Sequence, residues 1–110
     1  MAITINIYYT GTNGNARKFA EEMLTDGTVD AIRAEKGNIG YDYFFPINDN
    51  ETVLLIDSWE NQAAVDNHHA SPMMQEIAKK REKYDLHMRV ERYVSDESEA
   101  LQKDSAFIRA

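Results

Sequence analysis

The sequence predicts a two-layer α+β fold in which helices cover one face of a four-stranded antiparallel sheet. Three observations indicate it. Residues 3–9 and 86–94 each alternate between apolar and polar side chains, as strands with two unlike faces do. Two further strand-like segments follow each other closely in the middle of the chain, and the segments between have apolar residues at helical spacing. The resulting order, β-α-β-β-α-α-β, is that of a ferredoxin-like sandwich.

The first half of the chain begins with a strand over residues 3–9. TGTNGN then supplies a turn, and from Ala16 apolar residues such as Phe19 and Met23 recur at helical spacing. Gly27 interrupts this pattern, and because glycine disfavours a helix interior we expect a kink or a break there.

The middle of the chain predicts a β-hairpin. IGYDYFFPI is ended by Pro46 and joined through NDNE to VLLIDSW. Tyr43 and Phe45 should share one face of the second strand, since side chains alternate between faces. Residues 53–56 are apolar at four successive positions, so both faces of the third strand must be covered.

Two helix starts follow the hairpin. Asn61 is a suitable N-cap for QAAVDNHH, and Ser71-Pro72 is a stronger start signal, because serine caps free N–H groups and proline suits the first helical position. This last helix should run to Tyr84, and residues 86–94 then form the fourth strand with one apolar face.

The length of 110 residues fits one domain, which we place at residues 1–94. Residues 95–110 form a polar, acidic tail that we expect to be mobile, except that Phe107 and Ile108 offer an apolar hook.

Composition argues against several classes of protein. The formal charge of -7 repels nucleic acid and anionic lipid, so neither is an expected partner. The absence of cysteine excludes disulfides, thiolate metal sites and a cysteine nucleophile. No apolar stretch approaches the roughly 20 residues that span a bilayer, and no signal peptide is evident, so we expect a soluble cytoplasmic protein.

The sheet face that the helices leave open is too apolar and aromatic for a monomer. We therefore expect a homodimer in which two sheets stack face to face, the closed symmetric arrangement that such a face favours.

Part of the sequence resembles the antibiotic biosynthesis monooxygenase (ABM) domain family. The resemblance rests on EKGNIGY at residues 35–41, a strand that ends in DSWE at residues 57–60, and then Ala64, His68 and Ser71-Pro72. It implies a dimeric α+β barrel with a cleft between helices and sheet in each subunit. Members of the family include cofactor-independent oxygenases of polyketide quinols and simple quinols, haem-degrading enzymes and an isomerase-like enzyme.

The resemblance points to Trp59 and His68 as site residues. Trp59 matches the tryptophan at the end of the third strand that lines the cleft, although an indole at a strand end is also an ordinary packing residue whose N–H needs a partner. His68 matches the helical histidine and could deprotonate a phenol or hydroquinone. It could also simply cap carbonyls at a helix end or make a satisfied hydrogen bond in the core. His69 lies about 100° further round the helix, so at most one of the two histidines faces the cleft.

Three further residues are candidates for ligand contact. Tyr43 could stack on a planar ligand, although cross-strand packing explains an aromatic strand equally well. Met73 stands where many relatives have a second histidine, which weakens a two-histidine mechanism. Asn6 matches the strand-one asparagine of the haem-degrading members, yet it alternates with Ile5 and Ile7 and could instead face the dimer barrel.

No branch of the family matches completely. Of the haem-degrading set, the helical tryptophan is replaced by His68 and the later histidine by Ala78; of the polyketide-oxygenase set, Leu55 and Val65 replace two polar residues. The three histidines lack metal-ligand spacing. We therefore expect no cofactor and no metal.

Three functions remain open on the sequence. The first is a cofactor-independent monooxygenase that oxidises a quinol or related electron-rich aromatic with molecular oxygen. In it Trp59 and Tyr43 are cleft walls, and His68 is the base or a hydrogen-bond donor. The second is a small-ligand-binding or stress-associated protein of the same fold without catalysis. The third is a cofactor-free isomerase that uses His68 for proton transfer.

Overall fold

The computed structural model describes residues 1–109, so Ala110, the last residue of the predicted tail, lies outside the described residues. The strands are β1 (Ile3–Thr10), β2 (Asn38–Phe44), β3 (Thr52–Trp59) and β4 (His87–Val94). The helices are α1 (Asn15–Thr25), α2 (Thr28–Arg33), α3 (Gln62–His69), α4 (Met73–Lys83) and α5 (Ala100–Asp104), and a 3₁₀ turn spans Ser105–Phe107.

The four strands form one antiparallel sheet in the order β2-β3-β1-β4. Helices pack on one face of it, which confirms the predicted two-layer ferredoxin-like fold. The helix-facing residues of β1 and β3 follow the predicted alternation and make up much of the core: Ile3, Ile5, Tyr9, Val53, Leu55 and Trp59. Residues of opposite parity, such as Asn6 and Ile56, lie on the open face of the sheet.

The predicted break at Gly27 is confirmed. α1 ends at Thr25, and Gly27 adopts a left-handed conformation with φ +86°. A residue with a side chain is strained in this conformation, whereas glycine adopts it readily. Asp26 Oδ1 accepts a hydrogen bond from the Thr28 backbone N–H at 3.0 Å, so α2 restarts directly after the break.

Both predicted helix starts are confirmed by their hydrogen bonds. Asn61 Oδ1 accepts from the Ala64 N–H at 3.0 Å. Ser71 Oγ accepts from the Met73 N–H at 3.2 Å at the start of α4. Tyr43 and Phe45 share the helix-facing side, as predicted: the Tyr43 ring packs edge-on against Phe19 of α1, and the Arg17 guanidinium of the same helix lies 4.3 Å from the centroid of the Phe45 ring.

The segment after β4 contains α5 and the 3₁₀ turn, which the sequence analysis did not predict. Phe107 and Ile108, the predicted apolar hook, are 90% and 62% exposed. None of the helices within the described residues has the length and apolar character that a membrane crossing requires.

Candidate functional site

A cleft of about 320 Å³ lies between the helix layer and the β4 side of the sheet. It exists because the helices leave the helix-facing side of β4 uncovered, so that Met88 and Val90 remain 41% and 54% exposed. Its walls are largely apolar, and four polar side chains from different elements also line it. The lining residues are Ile5, Ile7, Asp57, His69, Met74, Arg81, Met88, Val90 and Arg92.

Asp57 is the buried acid of the cleft. It is on the helix-facing side of β3, paired with Ile5 of β1, and only 4% of it is exposed. Its Oδ2 accepts a hydrogen bond from the Trp59 indole N–H at 3.3 Å, whereas its Oδ1 is buried without a hydrogen-bond partner. Burial raises the pKa of Asp57 above its usual value, although the Trp59 hydrogen bond and the nearby His68 and His69 oppose the rise.

His68 and Trp59 form a buried column behind this acid. The His68 ring stacks on the fully buried Trp59 indole, with centroids 4.8 Å apart and planes inclined by 27°. His68 Nδ1 lies 2.8 Å from Glu35 Oε1, and only 4% of His68 is exposed. The indole thus connects the Glu35–His68 pair to Asp57, and it satisfies its own N–H through that acid.

The two histidines therefore have different surroundings. His69 is exposed and lines the cleft, whereas His68 does not. The expectation that at most one histidine faces the cleft fits this arrangement. However, the histidine that faces it is not the one that the sequence analysis chose as the base.

Two arginines bring positive charge to the cleft. Arg81 of α4 donates from Nη2 to the Tyr9 hydroxyl at 3.0 Å, and Arg92 of β4 donates from Nη2 to Gln62 Oε1. Among residues 1–109 neither guanidinium forms an ion pair with a carboxylate. Burial raises the pKa of Tyr9, while the neighbouring Arg81 opposes that rise.

The structure does not bring the remaining sequence-predicted residues into the cleft lining. Tyr43 packs between Phe19 and Tyr41 in the aromatic part of the core, and burial raises the pKa of its hydroxyl. Met73 packs against the core, and its neighbour Met74 lines the cleft instead. Asn6 lies on the open face of the sheet, opposite to the cleft, because its strand neighbours Ile5 and Ile7 face the helices.

Neither cleft arginine was among the predicted site residues, although the sequence contains signals for both. Arg92 has the same strand parity as Met88 and Val90, so alternation places it on the cleft side of β4. Arg81 follows Met74 and Ile77 at helical spacing, which places it on the sheet-facing side of α4.

No three side chains of histidine, aspartate or glutamate within residues 1–109 lie together as a metal ion would require. A second, more polar cavity of about 170 Å³ lies at the start of α3, between Gly37 and Asn61.

The fold and the cleft define a small α+β protein with an open, largely apolar cleft at the β4 edge of its sheet. Residues 2–80 match the family model for antibiotic biosynthesis monooxygenases, and the chain belongs to that family. The predicted family resemblance is thereby confirmed. No curated protein matches the chain.

Solved structures share the fold at low sequence identity. A protein from Deinococcus radiodurans, provisionally named an antibiotic biosynthesis monooxygenase, is 17% identical with a TM-score of 0.75, over 89% of this chain and 95% of that one. PA3566 from Pseudomonas aeruginosa is 21% identical with a TM-score of 0.73, over 86% and 94%. SnoaB, a cofactor-independent oxygenase from Streptomyces nogalater, is 12% identical with a TM-score of 0.72, over 88% and 95%.

Proposed function

We propose that this protein is a cytoplasmic, cofactor-independent monooxygenase that oxidises a phenol, quinol or related electron-rich aromatic with molecular oxygen. The observation that supports it most is Asp57, a buried carboxylate with a free Oδ1 beside an apolar cleft. Membership of the family and the similarity in fold to SnoaB, a cofactor-independent oxygenase, point the same way.

Asp57 replaces His68 as the proposed base. A general base works best when its pKa lies near the working pH, and burial moves the pKa of Asp57 upward in that direction. The free Oδ1 is closed to solvent, so contact with a substrate hydroxyl requires the carboxylate to turn about χ2, a torsion with a broad energy minimum. Trp59 would limit that turn through its hydrogen bond to Oδ2.

With 1-naphthol as substrate, Asp57 takes the phenolic proton, and the electron-rich naphtholate reduces oxygen and forms a C–O bond at the carbon para to the hydroxyl. Asp57 returns the proton to the resulting peroxide. It then takes the proton from the same carbon while the O–O bond breaks and hydroxide leaves, which forms the second carbonyl, and it passes that proton to the hydroxide. The products are 1,4-naphthoquinone and water, so one oxygen atom enters the product and the other is reduced.

The cleft walls suit this chemistry. Ile5, Ile7, Met74, Met88 and Val90 provide apolar contact for an aromatic ring. His69 lines the same cleft and is exposed on α3. In this proposal His68 and Trp59 position Asp57 and do not touch the substrate.

The proposal includes a homodimer formed through the open face of the sheet. Phe44 on that face is 48% exposed, and Asn6 Oδ1 is buried there without a hydrogen-bond partner. A second copy stacked on this face would cover the exposed Phe44 ring and could provide a hydrogen-bond partner for Asn6 Oδ1.

Light scattering should give a dimer at micromolar concentration. Ile56→Lys on the open face should give a monomer. The control Ile47→Lys, at a fully exposed position in the β2–β3 loop, should remain dimeric. A monomeric wild-type protein would contradict this part.

Oxygen uptake with 1-naphthol tests the reaction. We expect one O₂ consumed per naphthoquinone formed, no turnover without oxygen, and, with ¹⁸O₂, one labelled oxygen in the quinone. Turnover of an aromatic ketone under anaerobic conditions would favour the isomerase instead. Binding without any turnover of 1-naphthol or hydroquinones would favour the ligand-binding protein.

A further inference from the structure

We propose that the cleft binds aromatic ligands that carry a carboxylate, and that Arg81 and Arg92 recognise this group. The inference rests on the proposed function only in that both place the ligand in the same cleft. It concerns recognition, and it can hold or fail independently of oxygen chemistry.

The charge of the cleft is opposite to that of the protein. The whole chain carries a formal charge of -7. The cleft nevertheless contains two guanidinium groups against the single carboxylate of Asp57, whose pKa burial raises. A cleft of this composition attracts an anion in spite of the charge of the remaining surface.

Both arginines keep donors available. Each directs one Nη2 at a neutral acceptor, the Tyr9 hydroxyl for Arg81 and the Gln62 side chain for Arg92. A guanidinium has five N–H donors, and its planar fork matches a carboxylate. Some other cations of the chain do have acidic partners: Arg33 lies 2.9 Å from Asp42, and Lys83 lies 2.7 Å from Glu22. The cleft arginines are thus held in place without being neutralised.

The size and walls of the cleft define the rest of the ligand. A volume of about 320 Å³ is near the lower end of the roughly 300–1,000 Å³ range of ligand pockets, which suits one or two fused rings. The apolar walls favour an aromatic body. Asp57 provides an acceptor for a ring hydroxyl, so the ligand class is a small hydroxylated aromatic acid.

Calorimetric titration with 6-hydroxy-2-naphthoate and 2-naphthol tests the proposal, because the two probes differ only in the carboxylate. Charge-assisted hydrogen bonds of this kind contribute at least about tenfold in affinity. We expect the wild-type protein to bind the naphthoate at least about tenfold more tightly than the naphthol. Arg92→Gln should reduce this preference to about threefold or less, and the double variant with Arg81→Gln should remove it.

Arg89→Gln is the matched control. It removes the same charge from the same strand, but Arg89 lies on the opposite face, over the Tyr8 ring. Its preference should equal that of the wild type. Arg92 is exposed, so Arg92→Gln should fold even if loss of the Arg81–Tyr9 contact prevents the double variant from folding.

Three results would overturn the proposal: equal or tighter binding of 2-naphthol by the wild type, a tenfold preference that survives Arg92→Gln, or binding of neither probe at millimolar concentration. Oxygen uptake separates this result from the proposed reaction. If the protein turns over 1-naphthol but shows no preference for the carboxylate, only the proposed carboxylate recognition is rejected. If it shows the preference but no turnover, only the proposed reaction is rejected.

Discussion

The adjacent histidines His68 and His69 should respond to substitution in opposite ways. His68 is 96% buried, stacks on Trp59 and lies 2.8 Å from Glu35. A stacked ring pair contributes about 0.5–1.5 kcal/mol, and a hydrogen bond to a charged group about 1.5–3 kcal/mol. Glu35 is partly exposed and can recover some hydration, so His68→Ala should reduce the free energy of unfolding by about 2–4 kcal/mol.

For a domain of this size, 1 kcal/mol corresponds to about 4 °C in the melting temperature. His68→Ala should therefore lower Tm by about 8–16 °C, as measured by circular dichroism or calorimetry. His69→Ala removes an exposed side chain and should leave Tm within about 2 °C of wild type. A cycle with Glu35→Gln should show coupling to His68 and none to His69, because only His68 contacts Glu35.

Activity assays on the same variants complete the test. Below its melting temperature, His68→Ala should still turn over substrate. Any reduction in rate should come from the loss of order around Trp59. If His68→Ala melted like the wild type and lost all turnover, then His68 would be the base, as the sequence analysis predicted, and the assignment of Asp57 would be wrong.

Three other predictions concern stability. Gly37→Ala should lower Tm by several degrees, because Gly37 has φ +86° and an added Cβ would lie 2.6 Å from the Cβ of Ala64; Gly27→Ala, with a similar φ and open space around it, is the milder control. Asn61→Ala should lower the free energy of unfolding, measured by chemical denaturation, by about 1 kcal/mol, because it removes the N-cap of α3. Asp57→Asn should raise Tm at pH 7. The pKa of the Asp57 carboxyl is higher in the folded protein than in the unfolded chain, so the wild type loses stability as pH rises from the unfolded-state pKa through the folded-state pKa, and asparagine avoids this loss. That gain should shrink below about pH 4, where the unfolded carboxyl is also protonated, and a gain that did not change with pH would reject burial as its cause.

The fold was largely predictable because its elements carry local signals. Alternation in residues 3–9 and 86–94 fixed which side chains face the helices, and the caps at Asn61 and Ser71 are formed by contacts within three residues of the cap. The break at Gly27 follows from the backbone of a single residue. Such features depend little on how distant segments pack.

The site was less predictable because it depends on packing between elements. Alanine and valine at positions 64 and 65 share the buried face of α3 with His68, so periodicity predicts that His68 points inward. Periodicity does not tell whether the inward-pointing side chain lines a cleft or packs against Trp59. The cleft exists because no helix covers Met88 and Val90, and no local pattern in β4 predicts that absence.

The rate of oxygen uptake in Asp57→Asn tests the central claim most directly. General-base catalysis contributes about 10²–10⁴-fold, so kcat/KM for 1-naphthol should fall at least about 100-fold while the Kd of the naphthol, measured without oxygen, stays within about threefold. Asp66→Asn is the matched control, since Asp66 is exposed on α3, and it should retain wild-type kcat/KM. An Asp57→Asn variant that consumes oxygen at the wild-type rate would contradict the account.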